Sequence, residues 1–301
     1  MPNRWDQGWL RTALTVAVLA SVTGGGAAVQ TPANAPPPAP KNVRLHVFDC
    51  GLLEITTEGV QRYHVTPAEV GETRMSVPCF LIAHPKGTLM WDLGVIPDDN
   101  IGAGGRPARA TVNAFAAAVV SRTLRSQLAQ IGYRPADITY VAFSHPHIDH
   151  SANANDYAAA TWLVTKSDRD FMWAENNTRV NPSFYTALKT SRSIVLDKDE
   201  HDVFGDGRIV IKAAPGHTPG HQVLVLNLAA TGRVMLSGDL YHYPAERTLR
   251  RAPPDNEANV QQSATSRSTI EAYLQRTKTA LWIEHDFVSN AALKKSPAFY
   301  E

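Results

Sequence analysis

Residues 144–150 read Ser-His-Pro-His-Ile-Asp-His, so three histidines and an aspartate fall within six consecutive positions. The stretch follows 138–143 (ITYVAF), a compact apolar run that predicts a buried strand, and it begins where that strand enters a loop. Histidines two positions apart can direct their imidazoles to one side, while the next Asp-His pair can face a second point nearby. Neutral imidazoles and a carboxylate at short range suit a two-metal site, whose ions lie about 3.5–4 Å apart. The predicted metal ligands in this stretch are His145, His147, Asp149 and His150.

Three later segments repeat this arrangement, an apolar strand followed by a side chain that can bind a metal. His217 lies in the segment PGHTPGH, Asp239 follows the apolar run VML, and His285 follows the run ALWI. We expect His217 to be a ligand, Asp239 to bridge two ions and His285 to supply the last ligand.

Residues beside these ligands have two possible roles. His221 is expected to be structural or to support a ligand, because Thr218-Pro219-Gly220 turns the chain before it. Glu284 and Asp286 flank His285 and either orient imidazoles as hydrogen-bond acceptors or are solvated loop charges.

The composition limits the partners of this chain. Among 301 residues, 29 lysines and arginines are nearly balanced by 28 aspartates and glutamates, which gives a formal charge of +1. Nucleic-acid-binding proteins usually carry a clustered excess of basic residues, so nucleic acid is not an expected partner. A hydrophobic content of 44% is sufficient for a sizeable core. Cys50 and Cys79 either pack as small apolar side chains or form a disulfide in an oxidising compartment.

The N-terminal residues are typical of an export signal. Arg4 and Arg11 accompany the apolar run ALTVAVLASV, and small residues suited to signal cleavage follow it. The run is too short to cross a bilayer, so no stable membrane anchor is expected. Removing the signal takes away two basic residues and one acidic residue, which brings the formal charge from +1 to zero and favours a small neutral substrate. We predict a signal peptide over 1–28, a Pro-rich linker over 29–42 and a metallo-hydrolase domain over 43–301, located in the periplasm or secreted.

The pattern of the remaining residues predicts an α/β fold. Residues 44–48 alternate as a strand that ends at Asp49-Cys50-Gly51, and 75–83 with 88–91 form a β-hairpin around a tight turn.

Residues 112–131 have helical composition, with three apolar residues at helical spacing toward the end and Gly132 at the C-terminal cap. This Ala- and Val-rich segment is expected to pack as an ordinary amphipathic helix, to line an acyl-chain site or to contact a second copy in a homodimer.

Together, the motif H-x-H-x-D-H, the segment G-H-T-P-G-H, a G-D pair and a late histidine resemble the metallo-β-lactamase superfamily over residues 43–290. The resemblance implies an αββα sandwich of two mixed β-sheets flanked by helices. It also implies two zinc ions, or other divalent metals. By the same resemblance His145, His147 and His217 hold the first ion, Asp149, His150 and His285 hold the second, and Asp239 bridges them.

Within that superfamily the chain is most similar to N-acyl homoserine lactone lactonases, which implies a quorum-quenching hydrolase, and the N-terminal signal pattern adds that it is exported. A metal-bridging hydroxide would attack the lactone carbonyl, and Asp149 or Asp239 would relay a proton to the leaving oxygen. These lactonases usually have a tyrosine three residues after the bridging aspartate, which contacts the substrate carbonyl. Here that position is His242, between Tyr241 and Tyr243, and each of the three is a candidate for the contact.

Several other hydrolase functions are also compatible with this set of motifs. A β-lactamase fits the predicted export, and dual activity is compatible with one chemistry, but dedicated lactamases generally lack a carboxylate at the position of Asp239. A glyoxalase-II-like thioesterase would need a longer C-terminal region than the 16 residues after His285. Two further alternatives are hydrolysis of aryl esters or phosphotriesters and a metal-binding protein without catalysis.

Overall fold

The described residues of the computed structural model, 35–102, 106–175 and 177–301, form two mixed β-sheets with helices packed on them. The strands of the first sheet are β1 Arg44–Ile55, β2 Met75–His84, β3 Gly87–Trp91, β4 Ala108–Asn113, β5 Ala116–Val120, β6 Tyr140–Ala142, β7 Thr161–Thr165 and β8 Ser193–Leu196. Those of the second are β9 Glu200–Asp202, β10 Ile209–Ala213, β11 Gln222–Leu228, β12 Gly232–Leu236 and β13 Ala280–Trp282.

The first sheet has the order β4-β5-β1-β2-β3-β6-β7-β8, and the second has the order β13-β12-β11-β10-β9. The β3-β6, β6-β7, β7-β8 and β12-β13 pairs are parallel and the others are antiparallel. The α-helices are α1 Thr57–Gln61, α2 Pro67–Val70, α3 Leu124–Gln130, α4 Ile148–Ser151, α5 Lys166–Met172, α6 Pro244–Thr248, α7 Val260–Thr277 and α8 Phe287–Ala292. Short 3-10 helices cover Asp98–Asn100, Pro135–Asp137, Ala154–Tyr157, Pro182–Phe184, Thr186–Thr190 and Gly238–Leu240.

Three apolar layers hold these elements together. Between the sheets, Val47 of β1 belongs to one buried cluster with Leu224 of β11. On the outer face of the second sheet, Ile270 of α7 packs with Val223. The third layer joins the other face of the first sheet to helix α3 through Leu128. The αββα sandwich implied by the sequence resemblance is therefore confirmed.

The predicted helix over 112–131 is wrong for its first half. Residues 108–120 form the β4-β5 hairpin, β5 pairs with β1, and a helix covers only Leu124–Gln130, where Thr123 caps its N-terminus. Alanine favours helices in isolation, but Ala116, Ala118 and Val120 are buried at alternate positions, which is the period of a strand. Gly132 follows the end of α3 with a φ of 82°, as expected.

The first strand is longer than predicted, because Asp49-Cys50-Gly51 forms an irregularity and not an end. The register of β1 on β2 shifts between Asp49 and Leu52, and the strand continues to Ile55. Gly51 has a φ of 122°, and a Cβ there would lie 2.7 Å from Val120 Cγ2, so this position requires glycine.

Cys50 and Cys79 form a disulfide, which decides between the two roles considered for them. Phe48 lies opposite Cys79 in the antiparallel β1-β2 pair, and this register brings the two cysteine Cα atoms to 5.8 Å.

The predicted β2-β3 hairpin is confirmed, and the strand predicted over 138–143 is present in shorter form as β6. The predicted signal peptide over 1–28 and the first part of the linker lie outside the described residues, and 35–43 contain no helix or strand. None of the helices in the described ranges is long and apolar enough to cross a membrane.

Candidate metal centre

The predicted ligands lie in the segments that follow strands of the two sheets. His145 follows β6, and His147 immediately precedes α4, whose first turn carries Asp149 and His150. The second sheet supplies the rest: His217 lies between β10 and β11, Asp239 follows β12, and His285 follows β13.

Two neighbouring segments hold these strand ends in place. Asp92, which follows β3, accepts the Ser144 N–H at 2.7 Å and so fixes the start of the histidine-rich loop. Gly238 has a φ of 48°, and a Cβ there would lie 2.5 Å from Cβ of Ser144. Only glycine therefore lets the chain before Asp239 approach this loop so closely.

Four of the side chains form what we call the first cluster, with ligand atoms that all lie within 4.8 Å of one another: His145, His147, His217 and Asp239. Nδ1 of His147 lies 2.9 Å from Nε2 of both His145 and His217. Oδ2 of Asp239 lies 3.1 Å from His217 Nε2 and 3.6 Å from His145 Nε2. All four residues are buried.

The second cluster consists of Asp149, His150 and His285, whose ligand atoms also lie within 4.8 Å of one another. Oδ1 of Asp239 lies 3.2 Å from His150 Nε2 and 3.0 Å from His285 Nε2. One oxygen of Asp239 therefore faces each cluster, which is the position expected of a bridging carboxylate.

Some buried nitrogen and oxygen atoms of this centre lack hydrogen bonds, which suits them to bind a metal ion. His150 Nε2 and Asp239 Oδ1 are buried and lie 3.2 Å apart, but the angles at this contact are not those of a hydrogen bond, and neither atom makes one to another described residue. Leaving such an atom unpaired costs about 1–3 kcal/mol, so a buried set of imidazoles and carboxylates of this kind is suited to a cation. Burial alone would raise the pKa of Asp239, but the imidazoles of His285, His145 and His150 hold it well below its ordinary value.

Hydrogen bonds orient the histidines through the ring nitrogen that faces away from the centre. Nδ1 of His145 contacts Ser144 Oγ at 3.0 Å, and Nδ1 of His285 contacts the Ser76 carbonyl at 2.8 Å. Nδ1 of His150 lies 3.1 Å from Asp92 Oδ2. These contacts leave Nε2 of each ring for the metal.

Of the flanking residues, His221 has its predicted role, whereas Glu284 and Asp286 hold backbone groups and neither orients an imidazole by a hydrogen bond. His221 supports the bridging residue as expected, because its Nε2 accepts the Asp239 N–H at 3.0 Å and its Nδ1 contacts the Ala214 carbonyl at 2.9 Å. Glu284 accepts the Gly238 N–H at 3.2 Å, and burial together with the charge of Asp92 raises the pKa of its carboxyl. Asp286 orients no imidazole and instead caps α8, where it accepts the Ser289 N–H at 3.2 Å.

A cavity of about 430 Å³ opens onto both clusters. Part of its wall is apolar and comes from the segment 112–116 at the turn of the β4-β5 hairpin, together with Leu53 and Ile55 of β1. Part of the segment 112–131 thus reaches the cavity, which agrees with one of the three roles expected of it, but it does so as a hairpin and not as a helix.

Three residues are predicted to contact the substrate, and only one of them lines this cavity. His242 lines it, with Nε2 3.2 Å from Asp239 Oδ2. Tyr241 does not, because its hydroxyl donates to Glu271 at 3.3 Å and its ring packs under Arg267. The hydroxyl of Tyr243 donates to the Thr73 carbonyl at 2.7 Å.

His242 is held between two carboxylates. Its Nδ1 lies 3.6 Å from Glu246 Oε2, on the opposite side of the ring from Asp239. Burial lowers the pKa of His242, but the charge of Asp239 and the contacts with Asp239 and Glu246 outweigh it and raise the pKa to about 10.

Tyr63 is a cavity residue that the sequence did not indicate. It follows α1, lines the cavity beside Asp149 and Asp239, and its ring centroid lies 4.3 Å from that of His242. Residues 61–64 carry no motif, so only the fold brings Tyr63 to the site.

Comparison with known proteins gives consistent matches. A model of the metallo-beta-lactamase superfamily matches residues 73–273. The N-acyl homoserine lactonase AttM of Azorhizobium caulinodans is 24% identical over 265 residues, which cover 86% of this chain and 99% of the relative. An N-acyl homoserine lactone hydrolase solved with N-hexanoyl-L-homoserine at its catalytic metal center is 17% identical, with a TM-score of 0.70 over 85% of this chain and 98% of that chain. AidC, a dizinc quorum-quenching lactonase solved with a product, is 17% identical, with a TM-score of 0.58 over 81% and 87% of the two chains.

Proposed function

This chain belongs to the metallo-beta-lactamase superfamily of hydrolases, and from that premise we propose that it is a dizinc lactonase that opens N-acyl homoserine lactones. The observation that carries the proposal is the position of Asp239, whose Oδ2 lies 3.1 Å from His217 and whose Oδ1 lies 3.0 Å from His285. A carboxylate placed in this way can hold two ions side by side. Similarity to AttM and to AidC supports the choice of lactone and of zinc.

The two clusters would hold one zinc ion each, with Asp239 shared between them. When bound, the ions supply Lewis acidity, which activates water at neutral pH and polarises the acyl carbonyl. The chain orients the lactone against this centre, and the apolar wall formed by 112–116, Leu53 and Ile55 suits an acyl chain.

Ring opening adds one water across the acyl–oxygen bond. The carbonyl carbon becomes a carboxylate, and the ring oxygen leaves as an alcohol once it receives a proton. Asp149 lines the cavity, and its Oδ2 lies 3.7 Å from His285 Nε2 and 3.9 Å from His150 Nε2. This position lets Asp149 hold the proton and pass it to the leaving oxygen.

A β-lactam is the second candidate substrate, because two arginines line the same cavity. Arg179 donates to the Asn256 carbonyl at 2.9 Å, and Arg62 lies over the ring of Phe115. Within the described ranges neither guanidinium has a carboxylate partner within 4.0 Å. Either could bind the carboxylate that a β-lactam carries.

A side-by-side assay tests the proposal. We expect N-hexanoyl homoserine lactone to be hydrolysed faster than a carbapenem or an aryl ester, with activity lost on chelation and restored by zinc. Activity that survives complete removal of metal would contradict the dizinc centre. A carbapenem rate well above the lactone rate would contradict the choice of substrate and favour the β-lactamase.

We also propose that the chain is exported and acts in the periplasm or outside the cell, on the basis of residues 1–28. Expression of the full chain in a Gram-negative host, followed by fractionation and N-terminal sequencing, tests this. A chain that stays uncleaved in the cytoplasm would contradict it.

A further inference from the structure

We propose that Tyr63 donates its hydroxyl hydrogen to the reacting carbonyl oxygen of the substrate. The phenol would then come from the chain after α1 and not from the segment that follows Asp239. This inference rests on the proposed function, because it requires an acyl substrate in the cavity.

The hydroxyls of the two tyrosines beside His242 donate hydrogen bonds to other parts of the protein. The Tyr241 hydroxyl donates to Glu271 Oε1 at 3.3 Å, and its ring belongs to the apolar layer between the second sheet and α7. The Tyr243 hydroxyl donates to the Thr73 carbonyl at 2.7 Å. Neither residue lines the cavity.

His242 is also poorly placed to donate to substrate. Its Nε2 faces Asp239 Oδ2 at 3.2 Å, and its Nδ1 faces Glu246 Oε2 at 3.6 Å. Both ring nitrogens therefore point at carboxylates. Its backbone N–H donates to Glu246 as well, at 2.7 Å, which fixes the position of the ring.

Tyr63 has what the other three lack. It lines the cavity together with the ligands Asp149, Asp239 and His285, and its hydroxyl makes no hydrogen bond to a described residue. A polar phenol at the edge of a catalytic cavity, with no protein partner, is available to a substrate.

Contacts on two sides hold the Tyr63 ring. The His242 ring lies at a centroid distance of 4.3 Å, and the Tyr243 ring meets it edge-on at 5.6 Å. The backbone is fixed as well, because the Tyr63 N–H donates to the Val60 carbonyl at 3.0 Å at the end of α1. His242 is therefore a positioning residue for Tyr63. A donor that is held in place in advance stabilises the developing negative charge without reorganisation.

The test compares Tyr63→Phe with Tyr241→Phe in zinc-loaded protein. Loss of one donor to a developing oxyanion lowers kcat by about 100-fold, so we expect this loss in Y63F with little change in KM, zinc content or melting temperature. Y241F removes a hydroxyl outside the cavity and should keep the wild-type kcat. A second readout is the infrared carbonyl stretch of a bound, slowly hydrolysed lactam analogue, which should move to higher wavenumber in Y63F because a hydrogen bond is lost.

Two results would overturn the role of Tyr63: a wild-type kcat in Y63F, or a carbonyl stretch that does not change. Failure of the proposed function is a separate outcome, in which the wild-type enzyme does not open the lactone. The same pair of variants would then be compared on whichever ester or β-lactam the wild-type enzyme hydrolyses, and the spectroscopic readout does not require turnover.

Discussion

Nδ1 of His217 lies 3.1 Å from Oε1 of Glu257, and the second oxygen of that carboxylate accepts the Ser263 hydroxyl at 2.9 Å. Burial would raise the pKa of Glu257, but His217 and the hydroxyl lower it to about 2, so the residue is a carboxylate at neutral pH. A carboxylate behind a metal-binding histidine fixes which ring nitrogen faces the metal and makes that nitrogen a stronger ligand.

Replacing Glu257 with Gln should therefore weaken metal binding without removing a ligand. We expect zinc affinity to fall by about 10–100-fold, the range typical of such outer partners. Competition with a chromogenic chelator measures this loss. Glu271→Gln is the matched control, because Glu271 pairs with Arg247 outside the cavity and should leave affinity unchanged. Equal affinities of the two variants would contradict the role of Glu257.

Asp239→Asn should remove the bridging ligand from one of the two clusters. The amide nitrogen of Asn has no lone pair to offer a metal, so one cluster loses its share of the bridge. We expect zinc content to fall from two ions to one per chain, and kcat to fall by more than about 100-fold, since a direct ligand matters more than an outer partner. Metal analysis and steady-state kinetics measure both. Asp286→Asn, which alters only the cap of α8, should keep both ions, and an Asp239→Asn protein that also keeps both would show that Asp239 is not a bridge.

The Cys50–Cys79 disulfide should stabilise the domain because it lowers the conformational entropy of the unfolded chain. The bridge closes a loop with a sequence separation of 29, for which loop-closure entropy predicts about 3–4 kcal/mol. The double variant with serine at both positions should lose stability of this size in urea unfolding and keep its zinc. If reduction of the wild-type protein with dithiothreitol left the unfolding midpoint unchanged, the bridge would contribute little.

The candidate ligands could be chosen from the sequence because a local sequence pattern marks each of them. His145, His217, Asp239 and His285 each follow an apolar run, and the ends of strands in a sandwich of this kind converge. No contact across the fold had to be known to find them.

The parts that sequence reasoning missed depend on contacts distant along the chain. The composition of residues 116–120 is compatible with a helix, and these residues form a strand because they pair with β1. The disulfide depends on the register of β1 on β2, which the cysteine positions alone do not reveal. Tyr63 reaches His242 across 179 positions of sequence. Tyr241 is adjacent to His242 in the sequence, but its hydroxyl donates to Glu271 and it does not line the cavity.

The last prediction concerns Asp168, a buried carboxyl in the first turn of α5 that holds the loop after His217. Its Oδ1 accepts the Gly220 N–H at 2.8 Å, and its Oδ2 accepts the Thr218 hydroxyl at 3.0 Å. Burial raises the pKa of Asp168 from 3.8 to about 7, in spite of these hydrogen bonds and of the charge of His217, which lower it.

This shift makes the stability of the domain depend on pH. The unfolded chain releases the Asp168 proton near pH 4, but the folded chain keeps it until about pH 7. Between these values the unfolded state binds fewer protons, so the contribution of Asp168 to the free energy of unfolding falls as pH rises, by up to about 1.4 kcal/mol per pH unit.

Asp168→Asn keeps an oxygen for Gly220 and an N–H for the Thr218 oxygen, and it does not ionise. We therefore expect the stability of Asp168→Asn relative to wild type to increase from pH 4.5 to pH 7, measured by urea unfolding at matched zinc concentration. Because both proteins contain the same metal ligands, zinc loss at low pH affects them alike, and parallel pH profiles would show that Asp168 is already ionised in the folded state.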